Sequence, residues 1–136
     1  MIRNITNKEI LDAMLNAEAS LLMLISPFSM PSVQAFSKLE KWAQEWEKWN
    51  PNQQVEFYTI NCMFDGSLKK ENQPEHLKWL LEESKSGDPK IWYRQWITLG
   101  TGTMFWLKSG RIVDFEPYPF QCRIKELSQK TKKVFG

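Results

Sequence analysis

Apolar and polar positions along the chain switch between helical and strand periods in a regular order. Residues 2–5 read as a short strand. Thr6 and Glu9 have the spacing of a capping box. Ile10, Leu11, Met14 and Leu15 then share one face, which predicts a first helix over residues 8–17. Residues 21–25 are apolar on both faces, as expected of a central strand covered by helices on each side. Pro27 breaks this strand. Over 31–49, Val33, Phe36, Leu39, Trp42, Ala43, Trp46 and Trp49 recur at steps of three and four, which predicts a long amphipathic helix. Lys38, Glu40, Lys41, Glu45, Glu47 and Lys48 fall on its other, polar face. Pro31 suits the first turn, where an N–H is not needed.

The second half is organised by punctuation as much as by period. Residues 55–63 form another apolar strand. Pro74 opens a helix to about residue 84, and Asp88-Pro89 starts a second one through Trp96. Residues 101–107, a Ser109-Gly110 turn and residues 111–116 give a hairpin signal. A loop over 117–120 leads to a closing amphipathic helix over 121–135, with Ile124, Leu127, Thr131 and Val134 facing inward.

Composition narrows the class. A chain of 136 residues with 42% hydrophobic and 25% charged residues suits one soluble domain. No apolar run is long enough to span a membrane, and the N-terminal residues lack the apolar core of a secretory signal, so a cytoplasmic location is expected. A net charge of +2 is too small to argue for nucleic acid or an anionic membrane as partner. Two cysteines, Cys62 and Cys122, with a single histidine, His76, offer neither a disulfide framework nor a metal site, and no cofactor is expected. Seven tryptophans are many for this length, and those on the long helix are expected to pack against the sheet.

The apolar strand, the segment Phe28-Ser29-Met30-Pro31-Ser32 and the helix behind it resemble the active-site segment of thioredoxins, whose signature is Trp-Cys-Gly-Pro-Cys. The hairpin GTGTMFWLKSGRIV, residues 100–113, resembles the thioredoxin C-terminal hairpin. The order of elements fits the same family over nearly the whole chain. The resemblance implies one thioredoxin-like domain over 1–136: a three-layer α/β/α sandwich around a mixed sheet of four to five strands. Residues 64–98 or so would be a helical insertion before the hairpin.

The departures concern redox chemistry. Ser29 and Ser32 stand at the two cysteine positions, Met23 at the position of a buried aspartate, Thr59 at that of a lysine, and Gly102 at that of a cis-proline. Thiol–disulfide exchange needs a thiolate and a thiol leaving group, and a serine hydroxyl supplies neither. Ser29 suits a helix N-cap instead, and no catalytic residue is assigned. The thioredoxin groove also holds extended peptides, through the residue before the cis-proline, here Thr101. Around it the resemblance would place Phe28, Met30, Gly102, Tyr118 and Phe120. The expected function is a redox-inactive module that binds another protein through this face, as a monomer or weak homodimer. The alternative is a thiol enzyme with a relocated centre at Cys62 or Cys122, the latter in the first turn of the last helix, where the dipole lowers a thiol pKa. For both cysteines the preferred reading is burial as a small packing residue. A nucleic-acid adaptor rests only on the small basic excess and the tryptophans.

Overall fold

Strand β2 (Ala19–Ile25) is central, and its backbone is paired on both sides. The computed structural model describes residues 1–26, 29–61 and 101–136. In chain order these form β1 (Ile2–Asn4), α1 (Lys8–Asn16), β2, α2 (Met30–Trp49), β3 (Glu56–Asn61), β4 (Met104–Lys108), β5 (Arg111–Glu116), a 3-10 turn over Pro119–Gln121 and α3 (Ile124–Phe135). The sheet order is β1-β3-β2-β4-β5, with β1, β3 and β2 parallel and β4 and β5 antiparallel to their neighbours. This is the mixed sheet expected from the sequence. The helices proposed within 64–98, and Cys62, lie outside the described residues.

The period of two in a strand sends alternate side chains to opposite faces, and each face builds its own core. Leu22, Leu24, Tyr58, Ile60, Phe105 and Leu107 pack with Leu11, Met14 and Leu15 of α1. Leu21, Met23, Phe57, Met104 and Trp106 meet Leu39, Trp42 and Trp46 of α2 and Leu127 of α3. The three layers follow directly. Met23 therefore sits buried among apolar neighbours, and Thr59 is buried with its hydroxyl donating to Asn4 Oδ1 at 3.1 Å.

Burying a tryptophan also buries an N–H, which needs an acceptor. Trp42 Nε1 donates to Ser128 Oγ at 2.7 Å, Trp46 Nε1 to the Gln53 carbonyl at 3.1 Å, and Trp106 Nε1 to Thr131 Oγ1 at 2.9 Å. Trp42 also meets Phe57 edge to face, with centroids 5.4 Å apart. On the other face, Tyr58 donates to Glu56 Oε1 at 3.0 Å and accepts from Arg3 Nη1 at 3.4 Å. Burial, reinforced by Glu56, pushes its phenol up to about 12.

Several local expectations shift. The cap of α1 is Asn7, not Thr6: its Oδ1 accepts from the Ile10 N–H at 2.9 Å, so no box closes over Thr6 and Glu9. In α2, Val33 and Trp49 are exposed, while Ser32 and Ala35 are buried. The first turn of α2 lies against backbone and admits only small side chains there. Regular β4 starts at Met104, although the Thr103 carbonyl still accepts from the Leu24 N–H at 2.8 Å. The last helix starts at Ile124 rather than at 121, because Pro119 opens a separate 3-10 turn and Cys122 leaves it in extended conformation. The hairpin is as expected: Ser109 and Gly110 have φ of 52° and 79°, the paired left-handed conformation of a tight two-residue turn.

Replacing Thr131 by valine keeps its shape and removes the acceptor of the Trp106 indole. The expected loss is about 1–3 kcal/mol of unfolding free energy in urea, the cost of an unsatisfied buried donor. A change below about 0.5 kcal/mol would mean that the indole finds another partner.

Candidate functional site

The candidate site is the end of the sheet where β2 runs into α2. The turn is set by backbone bonds: Ser29 N–H donates to the Ser26 carbonyl at 3.1 Å, and Val33 N–H to the Ser29 carbonyl at 2.9 Å. Ser29 takes the N-cap position of α2 but makes no side-chain cap bond. Ser32 is 1% exposed, and its Oγ accepts from the Ser26 backbone N–H at 2.7 Å. This hydroxyl crosses from the helix to the last residue of the strand segment and closes the turn. Pro31 sits in the first turn as expected. Phe28 lies outside the described residues.

Gly102 enters this turn from the other side. It is buried with φ of +75°, and a Cβ built on it would stand 2.6 Å from Ala35 Cβ and 3.5 Å from Ser32 Cα. Proline cannot adopt that φ, so the residue at the family's cis-proline position uses a conformation open mainly to glycine. Backbone here touches the helix directly. Thr101 and Thr103 hydroxyls lie 3.2 Å apart, and Thr103 Oγ1 donates to the Pro117 carbonyl at 3.5 Å, tying the entry to β4 to the exit from β5.

Two surfaces result, on opposite flanks of α2. On one, Ile25, Ser26, Ser32, Val33 and Phe36 line an apolar cleft of about 220 Å³. Met30, 69% exposed, and Val33, 41% exposed, stand beside it. On the other, Tyr118 and Phe120 meet edge to face at 6.4 Å, Tyr118 exposed and Phe120 half-buried against the core. Lys38 holds that flank. Its Nζ donates to the carbonyls of Pro119 at 3.2 Å, Phe120 at 2.9 Å and Cys122. The helical pattern had put Lys38 on the solvated face. The signal for its role was the Pro-Tyr-Pro-Phe loop, whose carbonyls need donors that a proline-rich segment cannot supply itself.

Cys122 is half-buried beside this loop, its Sγ 3.7 Å from the Tyr118 carbonyl. Burial, with the carboxylates of Glu116 and then Glu126, pushes its thiol from 9.0 up to about 11. The expected lowering by a helix dipole does not occur, because Cys122 precedes the first turn of α3 instead of lying in it. The N-terminus of α3 is closed by Glu126, whose Oε1 accepts from the Arg123 N–H at 3.2 Å. Among the described residues no cluster of His, Cys, Asp or Glu could hold a metal ion, and no helix is long and apolar enough to cross a membrane.

No family model and no curated protein sequence matches the chain. Solved structures do. The zinc-bound form of human ERp44 matches over 100% of this chain with a TM-score of 0.65 at 15% identity, and the chain spans 32% of that protein's length. Oxidised thioredoxin from Plasmodium falciparum matches over 100% of both chains with a TM-score of 0.58 at 12% identity. A putative oxidoreductase with a thioredoxin fold matches over 94% of this chain and 91% of its own, with a TM-score of 0.57 at 9% identity. At such identities the likeness establishes the fold, which is thioredoxin-like.

Gly102→Ala is expected to destabilise by more than the roughly 1–2 kcal/mol of a left-handed L-residue, since its Cβ also meets Ala35. The loss should shrink in an Ala35→Gly background, which removes the contact and leaves the backbone strain. Equal losses in both backgrounds would contradict the packing. The raised Cys122 pKa has a sign that can be checked. Its stabilising contribution is complete below pH 9.0 and is lost as pH rises towards about 11. In a Cys62→Ser chain, alkylation of Cys122 at pH 9 should therefore be slower folded than unfolded, and Cys122→Ser should flatten the alkaline decline in stability.

Proposed function

We propose that this chain is a redox-inactive thioredoxin-like protein that acts as a protein-binding module through the β2–α2 end of its sheet. The observation that carries this reading is the role of Ser32. Its hydroxyl sits where the family's second cysteine would, and it is buried as acceptor of the Ser26 N–H at 2.7 Å. Sulfur chemistry needs a thiolate that reaches its substrate, whereas this oxygen is engaged in holding the turn. Thr59 and Met23 supply no proton relay in the layer beneath.

What the turn offers instead is exposed apolar surface on a rigid base. Met30 adapts its shape to different partners, Val33 stands next to it, and the Ile25–Phe36 cleft can take one apolar side chain. Apolar anchors entering such a cleft, surrounded by polar rim, are how protein interfaces gain most of their affinity. Tyr118 extends the surface on the other flank of α2. The Cys122 environment favours the neutral thiol, which weighs against a displaced thiol centre at that residue.

The test is capture of partners by the tagged chain from its native lysate, resolved on non-reducing gels. A Met30→Asp/Val33→Asp variant should lose a non-covalent partner by about tenfold or more while its melting temperature stays native, because both side chains are exposed. Cys62→Ser/Cys122→Ser should capture the same partner. A covalent adduct that disappears with the cysteines would overturn the reading.

A further inference from the structure

The outer edge of the β4–β5 hairpin carries a device that the proposed binding face does not use. Backbone alternation along β4 decides which groups of β5 point outward. The Leu24 N–H donates to the Thr103 carbonyl, so Thr103, Phe105 and Leu107 direct their backbone groups to β2. Their partners across β5, Phe115 and Ile112, consequently present N–H and C=O to the outer edge. Among the described residues no strand lies beyond β5, and an edge of this kind is a template for strand addition.

At Phe115 the edge is closed by side chains. Its N–H donates to Asp114 Oδ1 at 2.8 Å, and its carbonyl accepts from Lys130 Nζ at 2.9 Å. The same ammonium lies 3.5 Å from Asp114 Oδ1 and 4.7 Å from the centroid of the Trp106 ring. One lysine of α3 thus reaches over the sheet, stacks on an indole, and occupies the place where a neighbouring strand would donate. Val113, the extra residue between the Trp106–Asp114 and Leu107–Ile112 pairs, adds a bulge.

We propose that the Asp114–Lys130 clasp keeps β5 closed to a second copy of this chain, and that releasing it allows antiparallel β5–β5 pairing. The occupant follows from the sequence of the strand. Arg111-Ile112-Val113-Asp114-Phe115-Glu116 pairs with itself about a two-fold between Val113 and Asp114. That register joins the outward-facing Phe115 of one copy to the outward-facing Ile112 of the other. It also sets Arg111 opposite Glu116 at both ends, so charge and backbone parity select the same alignment. Phe115 and Val113, 38% and 48% exposed, supply apolar surface for the contact.

The test is the oligomeric state by sedimentation of the full chain, up to about 1 mM. The native chain should remain monomeric. Lys130→Met keeps an apolar side chain of similar length beside Trp106 and removes the donor, and Asp114→Ala removes the other half of the clasp. Each should give a concentration-dependent dimer. In the Lys130→Met chain, Arg111→Glu should abolish the dimer and Arg111→Glu/Glu116→Arg should restore it. Two folded variants that both stay monomeric would overturn the proposal. So would a dimer indifferent to Arg111→Glu, or a native chain that dimerises as strongly as the variants.

Discussion

The contact between Gly102 and the first turn of α2 fixes the end of the sheet that carries the candidate site. Two backbones come together with only 2.6 Å between Ala35 Cβ and the position a Gly102 Cβ would take. That approach requires small residues on α2, which explains why Ser32 and Ala35 are buried there while Val33 of the apolar stripe is exposed. It requires a positive φ at residue 102, which glycine adopts without steric cost. It also lets Thr103 join the ladder beside Leu24, so that β4 enters the sheet in register and buries Trp106 against Thr131. Displaced to the flank, Val33 and Phe36 become the wall of a cleft.

This arrangement gives physical content to the redox-inactive reading proposed for the chain. A thiol centre needs an exposed nucleophile at the helix N-terminus and a proton relay beneath it. Here the relay positions hold Met23, buried in an apolar cluster, and Thr59, bonded to Asn4. The hydroxyl of Ser32 braces the turn. The helix N-terminus and the loop ends keep their places, and their exposed side chains are apolar. That exposed apolar surface is the basis on which a binding role is proposed for this end of the sheet.

Much of the fold could be read from periodicity because each sheet face has its own helix layer. Residues 21–25 had to be central, since both faces are apolar, and the Ser109-Gly110 turn fixed the hairpin. Features that depend on contacts between distant residues were hidden. Lys38 looks like one more charge on a solvated face, yet it gathers carbonyls from a loop about eighty residues away. Lys130 is one more basic residue of the last helix in the sequence, yet its ammonium bonds the Phe115 carbonyl at the β5 edge. The one-residue shift of the α1 cap from Thr6 to Asn7 reflects two adjacent residues of similar capping strength. The position of Cys122 turned on Pro119, whose 3-10 turn delays the last helix and leaves the thiol among carboxylates. Ser29 and Ser32 were visible as residue types, but the bracing bond from Ser26 was not.

The central claim is that this end of the sheet carries no thiol chemistry. Its most direct test is the reduction of insulin disulfides by the purified chain with dithiothreitol as reductant. The account predicts turnover at the uncatalysed rate, unchanged by Cys62→Ser/Cys122→Ser. Turnover above that rate, lost when the two cysteines are replaced, would contradict it.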